Sequence, residues 1–213
     1  MTSAHKDLIE RIAAEGRPVR RLGSPGVRAC AWLALIAVLG AAYLFTRGAD
    51  LNDFARRTGG ALQAGAWLAA IATGATGVIA ASYVSFPDRS RLWALLPLPF
   101  LVLWLTLSGI GCLGLPTAAD AESPGCVKFI LMTGSPITAF LMWRLWRAHP
   151  LDAGLTGLLA ALGAAGLSAA LLQFFHPFAI TALDLALHLV AAAILMGAGL
   201  VVGRLAKGAL RAG

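Results

Sequence analysis

The sequence predicts an all-α integral membrane protein with six transmembrane helices. Of its 213 residues, 59% are hydrophobic and only 13% are charged, a balance far from that of ordinary water-soluble domains. Six apolar runs are each long enough to cross roughly 30 Å of hydrocarbon, which takes about 20 residues. The predicted organisation is a short N-terminal arm, residues 1–28, followed by a six-helix membrane domain, residues 29–213.

The apolar runs are separated by residues that end helices, including the pairs Gly59-Gly60 and His149-Pro150. The predicted spans cover residues 29–45, 61–86, 92–115, 127–146, 153–175 and 180–202. We interpret the first run as a retained span, because the stretch before it is too long and too polar for the start of a standard signal peptide.

The distribution of Lys and Arg predicts the orientation, because basic residues near span ends resist translocation. With the N-terminus inside, thirteen of the seventeen basic residues lie on the cytoplasmic side. Four remain outside: Arg47, Arg56, Arg57 and Lys128. Both termini are therefore predicted to be cytoplasmic. The formal net charge of +7 reflects this topology and an attraction to anionic lipid, and it does not indicate direct nucleic-acid binding.

The N-terminal arm has the pattern of a short amphipathic helix. Ser3 is placed to cap it, and Gly16 and Pro18 are placed to end it. Its apolar strip consists of Leu8, Ile9 and Ile12. A helix of about 13 residues is marginal alone in water. The arm is therefore predicted either to hold a cytoplasmic partner or to lie on the lipid surface.

Two cysteines flank the loop between the third and fourth spans, in the stretch "GCLGLPTAADAESPGC". Cys112 and Cys126 are predicted to lie on the outer side, where disulfides persist if the membrane is a bacterial inner membrane. Each cysteine is a candidate redox or metal sensor, and each is also compatible with simple packing as a small buried hydrophobe. Whether the two sulfur atoms meet depends on the fold.

A second polar cluster follows in "FFHPFAITALDLALH". His176 opens the outer connection between the fifth and sixth spans, whereas Asp184 and His188 are four residues apart on one face of the sixth. Ionisable groups within spans are functional candidates by default. Asp184 is placed to orient the imidazole of His188. Cys126, His176 and His188 are the candidate metal ligands, with a fixed helix-packing pair as the alternative.

The remaining patterns indicate structure rather than chemistry. Gly199 and Gly203 have the small-xxx-small spacing that lets membrane helices approach closely. The sequence contains no glycine-rich phosphate loop and no soluble domain large enough to hold a nucleophilic triad. We therefore expect no enzymatic activity.

The arm "DLIERIAAEGRPVRRLGSPGVR", which leads into a Trp-containing first span, and the entry to the fifth span, "RLWRAHPLDAGLTGLLAALGAAG", resemble the NrsF family of six-span bacterial anti-sigma factors. The resemblance covers essentially the whole chain, with the same order and number of spans. It implies a protein of the bacterial inner membrane whose arm sequesters an extracytoplasmic-function sigma factor and releases it when the membrane part senses an envelope stress.

Carried over to this sequence, the sigma-binding segment corresponds to residues 7–28. Leu8, Ile9 and Ile12 then become apolar anchors. From their chemistry, we assign three arginines as contacts to an acidic surface: Arg17, Arg20 and Arg21.

The family pattern also has a cysteine before the fourth span and another just after the fifth. Cys126 matches the first, but His176 occupies the second position, and His188 falls at a later aromatic or histidine position. A two-thiol switch between the family's own positions is therefore excluded. Cys112 replaces the missing thiol, or Cys126 and His176 bind a transition-metal ion as the signal, or sensing at this place is altered or lost and Cys126 is structural.

Two other function classes compete with the anti-sigma interpretation. A small electron carrier or transporter would use His176 and His188 for haem or proton transfer, but no other span contains a histidine. A structural membrane subunit would need no arm. Deletion of the arm would leave the function of a structural subunit intact, whereas the anti-sigma interpretation predicts constitutive sigma activity. A haem absorption band in the purified protein would indicate the electron carrier.

Overall fold

The computed structural model describes residues 3–15, 23–113, 124–147, 150–175 and 182–212, without the side chains of 3, 4, 15, 111–113, 124 and 207–212. Within these ranges the chain contains helices and turns and no strand. Six helical segments are long and apolar enough to cross a membrane. The prediction of an all-helical fold with six helices of membrane-spanning length is thus confirmed for the described residues, whereas the orientation of the termini stays a prediction.

The helices follow the order of the apolar runs, with two additions. The helix of the arm is α1, Ser3–Glu15. The remaining α-helices are α2 (Pro25–Thr46), α3 (Leu51–Arg57), α4 (Ala61–Val84), α5 (Leu98–Leu113), α6 (Pro124–Trp146), α7 (Ala153–Leu172) and α8 (Ala182–Ala212). A short 3-10 helix, Arg91–Leu95, precedes α5.

The first span begins earlier than its apolar run, because local backbone chemistry sets the start. Ser24 accepts a hydrogen bond from the backbone N–H of Val27 at 3.4 Å, and Pro25 occupies the first turn, where its missing N–H costs nothing. The third span starts as the 3-10 helix and continues as α5 after Pro97, which has no backbone N–H to donate.

Helix α7 is the centre of the bundle, and its window of spanning residues is 72% buried. Glycines allow its backbone to approach both neighbours. A Cβ atom added at Gly77 of α4 would lie 2.8 Å from the Cα of Gly163, and one added at Gly157 would overlap the carbonyl oxygen of Gly199 in α8. Contact between helix backbones at this distance excludes every larger side chain.

The bundle has two chemically different ends. Arg28 donates from Nη2 to the carbonyl oxygen of Arg144 at 3.3 Å, so the start of α2 meets the end of α6. We call this the basic end, and its described arginines are Arg28, Arg89, Arg91, Arg144, Arg147 and Arg204. At the opposite end, which we call the thiol end, α6 and α8 begin and Cys126 lies 3.0 Å from Asp184.

Helix α3, at the thiol end, lies outside the apolar runs and was not predicted. Asp50 caps it through Oδ1, which accepts hydrogen bonds from the N–H groups of Asn52 at 2.9 Å and Asp53 at 3.0 Å. Arg57 holds α3 to the bundle by donating to the carbonyl oxygen of Gln173 at 3.0 Å. An apolar-run count misses this helix because its start is fixed by a polar cap.

We predict that α3 loosens in acid. The hydrogen bond from the Asp53 N–H is the main cause that lowers the pKa of Asp50, and that from Asn52 and the charges of Arg56 and Arg57 add to it. A lowered pKa gives stability that is present above the ordinary aspartate value of about 3.9 and is lost as pH falls through the lower folded value. Amide exchange at Asn52 and Asp53, corrected for intrinsic rate, should lose protection below about pH 4. Asp50→Asn is the control, because its amide oxygen still accepts but does not titrate over this range; equal pH dependence in both chains would contradict the prediction.

Candidate functional site

Cys126 lies in the first turn of α6 and is only 3% exposed. Its thiol donates to Oδ1 of Asp184, on the first turn of α8, across 3.0 Å. Asp184 is also buried, with a side chain that is 8% exposed. The thiol and the carboxyl group, far apart in the sequence, thus form a direct contact between two helix starts.

His188 lies one turn further along α8 and is 4% exposed. Its Nδ1 is 2.8 Å from the backbone carbonyl oxygen of Asp184 and 3.5 Å from Oδ1 of the same residue. Because a carbonyl oxygen only accepts, Nδ1 is the donor, and this bond fixes the plane of the imidazole. The other side of the ring faces Trp104 of α5 at 6.5 Å between centroids. The ring also lines an apolar cavity of about 390 Å³ between α4, α5, α7 and α8, to which α6 contributes Ile130.

Cys126, Asp184 and His188 together form a set of metal-ligating groups. Each offers one ligand atom, and the three atoms all lie within 4.8 Å of one another. Ligand atoms in a tetrahedral zinc site are about 3.3 to 3.8 Å apart, as the usual bond lengths require. The 3.0 Å distance from Sγ of Cys126 to Oδ1 of Asp184 and the 3.5 Å distance from Nδ1 of His188 to the same Oδ1 lie close to this spacing. The 4.8 Å upper limit exceeds this spacing by about 1.0 to 1.5 Å, so the donors must move closer together to bind one ion. Binding an ion through Nδ1 requires the imidazole proton to move to Nε2 and the hydrogen bond to the carbonyl oxygen of Asp184 to break.

The structure brings together three of the five predicted sensing residues. Asp184 contacts both Cys126 and His188, which makes it a potential third ligand rather than only an orienting group. The backbone of Cys112 belongs to α5, but its side chain lies outside the described part of the chain, as does all of His176. The two alternative partners of Cys126 therefore stay predictions. Sequence reasoning missed the direct thiol–carboxylate contact, because the two residues lie 58 positions apart on different helices.

Of the six sigma-binding candidates, three lie on α1 and three lie outside the described residues. Leu8, Ile9 and Ile12 lie on α1 and are 55%, 54% and 63% exposed, so the apolar strip of the arm is uncovered. Helix α1 ends at Glu15, as Gly16 and Pro18 predict. The three arginines assigned to an acidic partner surface lie outside the described residues: Arg17, Arg20 and Arg21.

Sequence comparison assigns a family to this architecture. Neither the curated proteins nor the solved structures contain a match to the chain. The family model described as "NrsF: Negative regulator of sigma F" matches residues 12–206, which is nearly the whole chain and includes all six spanning helices. The resemblance seen in the arm and at the entry to the fifth span is thereby confirmed. The chain is a member of the NrsF family, the negative regulators of sigma F.

Proposed function

We propose that this protein is an anti-sigma factor of the bacterial inner membrane that sequesters an extracytoplasmic-function sigma factor. In this proposal both termini are cytoplasmic, the basic end faces the cytoplasm, and the thiol end faces outward. The excess of arginine at the basic end supports this orientation. The protein acts by binding and release, and not as an enzyme.

The observation that carries the proposal is the uncovered apolar strip on α1. Leu8, Ile9 and Ile12 are each more than half exposed on a helix that is too short to be stable alone. Such a helix gains stability when its apolar side chains enter a groove on a partner. Membership of a family that regulates a sigma factor makes the sigma factor the partner proposed here.

We further propose that the Cys126–Asp184–His188 cluster senses a divalent metal ion with affinity for sulfur, such as Zn²⁺ or Cd²⁺. Thiolate, imidazole and carboxylate are the donors that such ions bind. Binding replaces the thiol proton, which leaves to solvent, and ends the hydrogen bond between Cys126 and Asp184. Sensing of an oxidant by Cys126 alone is less well supported, because it would use only the thiol, whereas a metal ion uses all three donors of the cluster.

Helix α6 provides a physical connection between the cluster and the arm. It carries Cys126 in its first turn, Pro136 in its middle and Arg144 in its last turn. The carbonyl oxygen of Arg144 accepts a hydrogen bond from Arg28, which lies at the start of the span that follows the arm. We propose that a metal-induced shift of α6 against α8 changes this contact and so the position of the arm.

The test is capture of partners from the native cell by the detergent-solubilised full-length protein. We expect the full-length chain to retain a sigma factor and a chain lacking residues 2–23 to retain none. Leu8→Ala and Ile12→Ala should each weaken capture by about tenfold, because each removes most of a buried aliphatic side chain from the interface. Glu10→Ala is the matched control, since Glu10 lies on the opposite face of α1.

Retention of the same proteins by the full-length and shortened chains would contradict the anti-sigma proposal and favour a structural membrane subunit. Equal weakening by Glu10→Ala and Ile12→Ala would contradict the role of the apolar strip. In cells, loss of the arm should leave the sigma factor constitutively active, which a reporter gene measures.

A further inference from the structure

The basic end carries charge that the described residues do not neutralise. Arg89 lies 3.5 Å from Asp88, and Arg91 lies 3.9 Å from Asp152. No ion pair is formed within the described residues by the three arginines where α2 meets α6, which are Arg28, Arg144 and Arg147. Three guanidinium groups therefore share one corner of the bundle and form no ion pair with a carboxylate in the described part of the chain.

Aromatic rings hold these guanidinium groups in place. The Cζ of Arg144 lies 4.7 Å from the ring centroid of Trp32 and 5.4 Å from that of Trp143. The Cζ of Arg147 lies 4.4 Å from the same Trp143 ring. Arg28 lies 5.4 Å from the ring centroid of Phe86. A guanidinium held over an aromatic face still has N–H groups available to an oxyanion. Binding the oxyanion then costs less conformational entropy than it would with a freely moving side chain.

The same corner has more hydrogen-bond donors than acceptors. Nη1 of Arg28 and Nε1 of Trp32 are covered by neighbouring side chains, and neither has an acceptor among the described residues. Arg147 is exposed and Arg144 is half-buried, so a ligand reaches these two directly. Arg28 is half-buried beside Arg144 and contributes its positive charge. Exposed Trp143 provides an apolar surface beside the charge, at 49% exposure.

We propose that this corner binds the headgroup of an anionic glycerophospholipid, with the phosphate on Arg144 and Arg147 and the acyl chains along Trp143 and α6. A phosphate accepts the paired N–H donors of arginine, and basic pockets between spanning helices on the cytoplasmic side are suited to acidic headgroups. Indole rings prefer the same interfacial depth. The bound lipid neutralises the corner and stabilises the contact between Arg28 and Arg144. This inference goes beyond the proposed function and does not depend on sigma binding.

The test is native mass spectrometry of the purified full-length protein with phosphatidylglycerol, phosphatidylcholine or inorganic phosphate. We expect bound phosphatidylglycerol at a concentration where phosphatidylcholine does not bind and inorganic phosphate does not displace it. The double substitution Arg144→Gln, Arg147→Gln should weaken phosphatidylglycerol binding by about thirtyfold, at about 1 kcal/mol for each charge.

The matched control is Arg89→Gln, Arg91→Gln, which removes two arginines from the same end that already have acidic neighbours. It should weaken binding by less than about fivefold. The single substitution Arg147→Gln is included because an exposed side chain at a helix end is not needed for folding. The proposal would be overturned if both double variants lost the same affinity or if Arg147→Gln bound phosphatidylglycerol unchanged. It would also be overturned if phosphatidylcholine bound equally well or if inorganic phosphate displaced the lipid.

Discussion

Cys126→Ser is expected to lower the affinity of the purified protein for Zn²⁺ or Cd²⁺ by at least about a hundredfold. Removing even an outer partner of a metal ligand costs about 10- to 100-fold in affinity, and here the sulfur ligand itself is lost. Serine preserves the size of the side chain but does not provide a thiolate. Cobalt binding offers a direct measurement, because a thiolate ligand gives Co²⁺ a charge-transfer absorption that a hydroxyl group does not.

Two controls make this result specific. Cys30→Ser changes an exposed cysteine in α2, near the basic end, and should leave metal binding unchanged. Cys112→Ser tests whether the other cysteine that flanks the loop between α5 and α6 contributes. A Cys126→Ser protein that binds cobalt as tightly as the original would disprove the metal site. Equal losses for Cys112→Ser and Cys126→Ser would instead make Cys112 a ligand or partner of Cys126. In cells, Cys126→Ser should abolish metal-induced activity of the sigma factor and preserve its sequestration.

Gly199→Leu is expected to separate α7 from α8 and to lower the free energy of unfolding by about 3 kcal/mol or more. A Cβ atom at residue 199 would overlap the carbonyl oxygen of Gly157 and lie 3.0 Å from the Cβ of Ala161. A backbone carbonyl oxygen cannot turn aside as a side chain does, so the helices themselves must move apart. Thermal unfolding in detergent, followed by light scattering and circular dichroism, measures the loss.

Gly197→Leu is the matched control, because it introduces the same side chain into the same helix two residues away. Gly197 is exposed, and a Cβ atom there would have no neighbour within 4 Å. Replacing glycine by leucine in an open helical position should leave stability unchanged or raise it by roughly 0.5–1 kcal/mol. If both substitutions destabilise the protein equally, the close contact between α7 and α8 is not what holds this part of the bundle together.

The ends of the helices show where sequence reasoning succeeded and where it stopped. The 61–86 and 153–175 runs begin at the residues where α4 and α7 begin, because Gly60 and the Asp152 cap mark those starts locally. Helix α8 continues to Ala212, well beyond its apolar run, because the residues after Val202 include no proline and are mainly the strong helix formers Ala, Leu, Lys and Arg. The length of an apolar run thus predicts that a spanning helix is present, whereas caps and helix-forming residues outside the run decide where the helix begins and ends.

The candidate site could be predicted only in part. The spacing of Asp184 and His188 places them on one helix face, and this proved correct. The choice of Cys126 as their neighbour needed the packing of α6 against α8, since no local pattern relates residues on separate helices. The same holds for Arg28 and Arg144, which meet through a hydrogen bond across 116 residues and which no local pattern relates.

The sequence by itself determined the class of the protein. Its evidence was six apolar runs, one amphipathic arm and an uneven distribution of arginine. Each of these can be recognised within a short segment, because each depends on whether that segment is more stable in lipid, at the interface or in water. Only the tertiary structure decided which side chains meet. Glycines let the backbones of α4 and α8 contact that of α7, and a backbone contact without intervening side chains permits few alternative alignments. Side chains of α6, Ile130 among them, pack with those of α7 and α8, and this packing brings Cys126 to Asp184 at one end of the bundle. At the other end it leaves Arg144 of α6 in contact with Arg28 of α2.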